Sequence, residues 1–464
     1  MFQLVGSPCG PYPYHTPGYV LIVGQWIPDR KGFTMSKEQF LSVGIDVGST
    51  FSWMAIVDPE ENLILKPFKI FHNNLDSLNR ALDAIKKAEE AYSLNPHIHM
   101  ESTGTYHFPL FCFFKESGLP TYVINPLITH SIKNYGIRKA KNDKLDSIGI
   151  AKLGLKPDLR LSIIPEKMIL DLRALTRNYY KLVDTRSGYV IQLKTFLSTV
   201  FPQYIGIFSD ITGTTSMMIL EDYPTPDKIL RAHRNCLIRK ISKASRKGIS
   251  KATEKYEQLV QAARNAKTFG CDLDSVYFNI SLTIDMIHHL NDAIADTRKR
   301  MLQIVEEHKE ETFVQQIYWL NSIPGVGFLT AVTLMCEIGD FSVFKNPRQL
   351  LAYFGIDPEV RQSGKFTATE MHMSKRGSSF ARRAIFAAAL ACIRTKKNGE
   401  AVNPYLYDYY QKKSASKPKK VALGAVMHKL VNYVFAVLRD ETDFVLRSPA
   451  EHCNSYVRPV QEAA

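Results

Sequence analysis

The sequence predicts a mixed α/β sheet domain with helices on both faces, then a long helical arm, then a mainly helical C-terminal domain. Three observations carry this expectation. From Ser42, short apolar runs of strand length alternate with amphipathic stretches of helical period. Between Pro165 and Trp319 the strand signals nearly vanish and long helical periodicities take over. At 464 residues the chain exceeds the size at which one hydrophobic core stops growing, so two or three domains are expected.

Within the first domain, Ser42 to Val47 and Ser52 to Val57 read as strands around a turn at Gly48-Ser49, and Leu63 to Phe71 as a third strand. Leu75, Leu78, Leu82 and Ile85 then recur at helical spacing. A strand ending at Glu101, a helix over Tyr106 to Ser117, a strand at Thr121 to Asn125 and a helix from Asn142 to Leu155 follow. Three strands, a helix, then alternating strand and helix is the element order of the RNase H-like fold, a mixed sheet flanked by helices. Residues 39–160 are assigned to it. Residues 1–38 are expected to form a disordered extension, because the Pro/Gly/Tyr-rich stretch from Ser7 to Gly18 cannot fold on its own; Met35 is a second possible start.

The arm is assigned to residues 161–315. Ile169, Leu172, Leu175 and Tyr179 begin one long helix, and Ile284, Ile287, Leu290, Ile294 and Met301 mark another over Ile280 to Val305. Paired long helices suit an antiparallel coiled coil or dimerisation stalk. Pro202 to Pro226 reads as irregular, and Arg239 to Lys255 as one densely basic helix, either a solvated face or a nucleic-acid contact. Residues 316–445 hold the C-terminal domain and 446–464 a tail. This domain opens on Leu320 to Gly327 and passes through two apolar helices to a basic stretch, Ser374 to Arg383. A Lys-rich loop at Lys412 to Lys420, expected to be mobile, precedes a closing helix over Leu423 to Leu438.

Charge narrows the partners. With 59 Lys+Arg against 45 Asp+Glu the chain carries +14, and its pI near 9.2 is that of a polyanion binder. The 7 cysteines form no CxxC pair and no Cys/His cluster at zinc spacing, so they read as reduced thiols of a cytoplasmic protein. The longest apolar run, Ala384 to Ile393, is well short of the roughly 20 residues that span a bilayer, so no transmembrane helix and no membrane partner is expected.

Four acids stand out. Asp46 interrupts the apolar first strand, where a charge costs several kcal/mol unless it is paired or binds a cation; its bland alternative is a strand-ending turn former. Glu101 repeats the anomaly at the end of the fourth strand, which neighbours the first in the RNase H topology. Asp143 and Asp146, three apart on a helix, share one face, where they repel unless something positive neutralises them. Two Mg²⁺ ions, about 3.5 to 4 Å apart, are the usual solution: hard cations take oxygen ligands and clamp both oxygens of a phosphodiester exchange. For Asp143 alone, an acid favoured by the helix N-terminus is the bland reading.

VGIDVGST, ESTGTYHFPL, VINP and KNDKLDSIGIA, with IPGVGFLTA, FKNPRQLLAYFGIDP, RQSGKF and MSKRGSSFARRAI in the last third, together resemble the DEDD transposases of insertion sequences. That group includes the Piv-like DNA invertases. The likeness covers most of residues 42 to 160 and 318 to 440. It implies a RuvC-like N-terminal domain with Asp46, Glu101, Asp143 and Asp146 as catalytic metal ligands for Mg²⁺ or, in its place, Mn²⁺. It also implies a C-terminal domain whose nucleophilic serine is Ser363, joined to DNA as a phosphoserine. Read without the resemblance, Ser363 is a turn serine. The partners implied are double-stranded DNA at element ends and target, a structured guide RNA encoded by the element, and further copies of the chain in a dimer or tetramer at the nucleoid.

For backbone contacts to DNA, Gly325 and Gly327 in IPGVG resemble a helix-hairpin-helix turn, and Lys375, Arg376, Arg382 and Arg383 straddle a Gly377-Ser378 break. An ordinary turn and an ordinary helical face are the bland readings. Two rivals start from the same residues. GIDVGST is similar to the first phosphate loop of actin-like ATPases, but the second such loop and the adenosine loop are missing from the sequence. A junction-cutting nuclease would use the same four acids with water as nucleophile, and an inactive relic of a mobile element would keep only DNA binding. The acids and Ser363 are expected to meet only across two subunits.

Overall fold

The computed structural model describes residues 39–101, 106–124, 142–157, 159, 161–162, 166–269, 272–358, 362–363, 366–367, 372–448 and 451. The expected N-terminal extension and most of the expected tail lie outside these residues. Two compact units are present: one comprises Met1–Ile169 and Gln316–Ala464, the other Leu170–Gln315.

The N-terminal part of the first unit is an RNase H-like sheet. Its strands are β1 (Leu41–Val47), β2 (Phe51–Val57), β3 (Leu63–Phe71), β4 (Pro96–Glu101), β5 (Thr121–Ile124) and β6 (Leu161–Ser162). They lie in the order β3-β2-β1-β4-β5-β6. β1 pairs antiparallel with β2 and parallel with β4; β4 is parallel to β5, and β6 closes the edge antiparallel. The central strand, β1, is almost wholly buried: Leu41, Val43, Ile45 and Val47 make one face apolar, while Ser42, Gly44 and Asp46 lie on the other. One face packs on helices α1 (Leu75–Tyr92) and α2 (His107–Glu116) through Ile45, Met54, Ile70, Ala81, Ile85, Leu110 and Phe114. Asn74 caps α1 by accepting from the Ser77 amide. The two-residue β6 had no signal in the sequence.

Helix α3 (Asp143–Gly154) covers the other face, and a glycine sets how closely. A Cβ at Gly44 would stand 2.2 Å from the Ser147 carbonyl oxygen and 2.3 Å from the Ala151 amide, so the helix backbone rests directly on β1. Ser42 Oγ donates to the Ala151 carbonyl at 2.6 Å and lies 3.0 Å from His99 Nδ1. Burial pushes the His99 imidazole down to about 3, so it is a neutral packing group here.

The second unit is helical. α4 (Lys167–Val200) leads into it, followed by α5 (Thr214–Asp222), α6 (Pro226–Arg231), α7 (Arg234–Ser245), α8 (Gly248–Phe269) and α9 (Asp274–Glu307). Two sequence expectations are corrected. The stretch expected to be irregular contains α5, which buries Met217, Ile219 and Leu220 in the unit's core. The single basic helix expected over Arg239 to Lys255 is two, because Arg246 adopts a left-handed conformation (φ 54°) and Gly248 follows with φ 80°. The core joins Leu193, Leu197, Phe201, Tyr204, Leu237, Ile241, Leu259, Ile280 and Ile287.

The C-terminal part of the first unit holds α10 (Thr312–Asn321), α11 (Phe328–Ile338), α12 (Pro347–Phe354), α13 (Ser379–Cys392), α14 (Pro404–Ser414) and α15 (Lys419–Asp440). A small hairpin, β7 (Gln362–Ser363) with β8 (Phe366–Thr367), lies between α12 and α13. α15 is long and apolar enough to cross a membrane by length and composition. It is nevertheless a core helix, burying Ala422, Val426, Leu430, Val431, Val434 and Leu438. The expected Lys-rich loop is shorter than read: Lys412 and Lys413 end α14, and Lys419 and Lys420 begin α15.

Candidate metal centre and C-terminal basic loop

Side-chain parity on the sheet puts the acids on one face. Gly44 and Asp46 are two apart on β1, so Asp46 points to the side on which α3 rests. α3 starts over that end of the sheet. Asn142 is its cap, accepting from the Lys144 amide at 3.1 Å, and Asp143 and Asp146 fall in its first turn, where the helix N-terminus favours negative charge. Asp46, Asp143 and Asp146 each place a carboxylate oxygen within 4.8 Å of the others. Asp143 is exposed and the other two are half-buried, so the cluster is open on one side. Three hard oxygen donors converging this closely fit a Mg²⁺-type ion, with room for water or a phosphate oxygen.

Glu101 lies outside that trio. β4 runs parallel to β1 with Ile45 opposite Met100, so Glu101 falls one step further, level with Asp46 and on the same face. It is the last residue of β4, and the segment that would continue it is outside the described residues.

In the C-terminal domain, Ser363 pairs through its backbone with Phe366 in the β7–β8 hairpin. The base of the segment that carries it is fastened. Pro358 bridges Met373, Ser374 N and Oγ donate to Asp357 O and Oδ1, and Lys375 N donates to Gly355 O. A Cβ on Gly377 would stand 1.8 Å from the Tyr353 carbonyl oxygen, so two backbone segments cross there. Ser378 caps α13 and donates to the buried Glu337 carboxylate at 2.7 Å.

The basic residues divide. Lys375 and Arg376 are exposed, Lys375 at φ 53°. Arg382 instead donates one guanidinium nitrogen to the carbonyls of Phe354 (3.0 Å) and Gly377 (2.7 Å), and burial lowers its pKa. Arg383 is half-buried. The two glycines divide likewise. Gly325, at φ 101°, rests against Cys392, whose Sγ would be 2.4 Å from an added Cβ; Gly327 is exposed at the N-cap of α11 with open space around it.

A family model described as a transposase, of the DEDD IS110 type, matches residues 43–202. A second, described as the IS116/IS110/IS902 transposase family, matches residues 318–411. The chain belongs to the IS110 transposase family. It is 26% identical over 233 residues to the IS110 insertion-element protein of Streptomyces coelicolor, covering 50% of this chain and 53% of that one. It is 29% identical over 170 residues to the pilin gene-inverting protein of Moraxella lacunata, covering 37% and 50%. With the transposase of element IS1111A from Coxiella burnetii it shares 23% over 285 residues, covering 61% and 63%. The chain thus spans between 50% and 63% of the length of these relatives.

Gly44, Trp53 and Glu337 are not singled out by the sequence, and Ser378 only as part of the break in the basic run. Only Gly44 carried a signal: an isolated glycine inside a strand often marks close approach of another backbone.

Proposed function

We propose that this chain is a DNA transposase, a site-specific recombinase of an insertion sequence. The convergence of Asp46, Asp143 and Asp146 on one point of an RNase H-like sheet carries the reading. Residues 39–160 act as the metal-binding catalytic domain, 161–315 as the arm through which copies associate, and 316–445 as the domain bearing the serine. Asp46, Asp143 and Asp146 hold Mg²⁺, or Mn²⁺ in its place, with Glu101 completing the set. When bound, the ions supply Lewis-acid stabilisation of charge on the phosphate oxygens.

Ser363 acts as nucleophile. Its oxygen forms a bond to a DNA phosphorus while one ester bond of the strand breaks and departs as a hydroxyl. A hydroxyl of the exchanged strand then attacks the phosphoserine and frees the serine, so the bond is resealed without an external energy source. Gly327, Lys375 and Arg376, which are exposed, hold the DNA backbone. Arg382, and Gly325 through its packing, act on the shape of the same surface, and Arg383 lies beside them on α13. Two or four copies assemble so that Ser363 of one meets the acids of another, and an element-encoded RNA selects the sites by base pairing in the nucleoid.

The deciding experiment incubates Ser363→Ala and Asp46→Ala variants with nicked DNA bearing element ends, then separates protein–DNA adducts under denaturing conditions. The expected result is a covalent adduct with the parent chain and none with either variant. Strand cutting that survives Ser363→Ala would instead identify a nuclease using water.

A further inference from the structure

The acid cluster has a neighbour that the reading above leaves unused. Trp53 on β2 stands opposite Asp46, and Lys69 on β3 stands opposite Trp53, so the three side chains form a row across one face of the sheet. Lys144, between Asp143 and Asp146 on α3, reaches over the same indole: its Nζ is 4.8 Å from the Trp53 ring centre. Lys69 Nζ lies 5.5 Å from that ring and 4.2 Å from the Phe51 ring. Both lysines are exposed, and among the described residues neither has an ion-pair partner, although Lys144 is flanked by two acids in sequence.

A lysine beside carboxylates ordinarily turns to them. Here the aromatic faces draw both ammonium groups aside and narrow the range of two long, flexible side chains. The result is two positive charges fixed next to a site that takes a phosphate. Two strand spacings, about 10 Å, separate the Asp46 and Lys69 positions, a reach of about three nucleotides at ~3.4 Å each.

Resting on the DNA-recombinase reading, we propose that Lys69 and Lys144 bind phosphates of the same strand within about three nucleotides of the one to be cut, with Trp53 as the residue that positions them. The ligand is the sugar–phosphate backbone of the DNA strand entering the acid cluster.

The test uses the full chain with Ca²⁺ in place of Mg²⁺, so that DNA binds without being cut. Trp53 is one of 3 tryptophans, so replacing Trp26 and Trp319 by Phe leaves a single reporter. DNA carrying element ends should alter Trp53 fluorescence. Lys69→Gln with Lys144→Gln should lower the slope of log affinity against log salt by about 1.8 on duplex or 1.4 on single strands, and the double Arg variant should restore it. Thermal stabilisation by Mn²⁺ should be unchanged in the double Gln variant, showing the acids intact. If the parent chain binds DNA with a steep salt slope, but that slope is unchanged in the double Gln variant, the assignment is wrong and the recombinase reading stands. Failure of the parent chain to bind DNA sinks both. Stronger quenching by RNA of the same sequence would overturn DNA as the ligand. Should the single-tryptophan chain fail to fold, the salt slopes decide alone.

Discussion

Gly44→Ala tests whether the contact between β1 and α3 sets the acid cluster. The added methyl carbon would stand 2.2 Å from the Ser147 carbonyl oxygen, 2.3 Å from the Ala151 amide and 2.8 Å from Ala151 Cα. All three are backbone atoms of α3, so no side chain can rotate away. Restoring an ordinary contact near 3.4 Å moves the helix outward by about 1 Å, and overpacking of this kind costs about 1–3 kcal/mol. Asp143 and Asp146 ride on the first turn of that helix, whereas Asp46 stays with the sheet. Mg²⁺ demands near-ideal octahedral contacts of about 2.0–2.1 Å, so cation affinity should fall on the order of 10-fold or more. Thermal unfolding followed by circular dichroism, with and without a Mg²⁺ titration, measures both effects. Gly149→Ala is the control, since it sits in the same helix with nothing within 4 Å of an added Cβ; it should stabilise by about 0.8–1 kcal/mol. A Gly44→Ala chain with parental melting temperature and parental Mg²⁺ response would refute the argument.

Further outcomes follow from the geometry of the acid cluster and of the C-terminal domain. Single Asp→Asn changes at 46, 143 or 146 should remove Mg²⁺ stabilisation, worth about 2.7 kcal/mol at a hundred times Kd; calorimetry showing full cation binding by any of them would contradict the shared site. Gly325→Ala should cost about 1–3 kcal/mol, because Cys392 occupies the space and φ is 101°. Gly327→Ser should leave melting unchanged, since serine also caps helices, and weaken DNA binding alone in gel-shift titrations. Arg382→Gln should destabilise the C-terminal domain by about 1–3 kcal/mol through the two carbonyls it leaves without a donor. Arg376→Gln should spare stability and lower the salt slope of duplex binding by about 0.9.

How much of this was legible in the sequence depends on the range of the interaction. The strands and helices of the sheet domain follow from local periodicity, and Asp143 and Asp146 share a helix face by spacing alone. The meeting of that face with Asp46 is a tertiary fact: it requires α3 to lie on β1, and the residue that permits it, Gly44, does not announce which face is approached or by what. The break between α7 and α8 was hidden for a different reason. Basic residues continue across it, so charge pattern and helix periodicity both run on, while a left-handed Arg246 ends the helix.

The basic loop makes the same point about function. Lys375, Arg376, Arg382 and Arg383 are indistinguishable as a charge run, yet Arg382 is engaged with two backbone carbonyls and Lys375 and Arg376 face solvent. Residue type alone marks all four as phosphate contacts. What separates them is whether the fold has already supplied an acceptor. An exposed cation keeps its charge for DNA, and Arg382 instead fixes the crossing at Gly377 on which the base of the Ser363 segment rests. Its loss should therefore be felt first in stability and only through the serine in strand exchange.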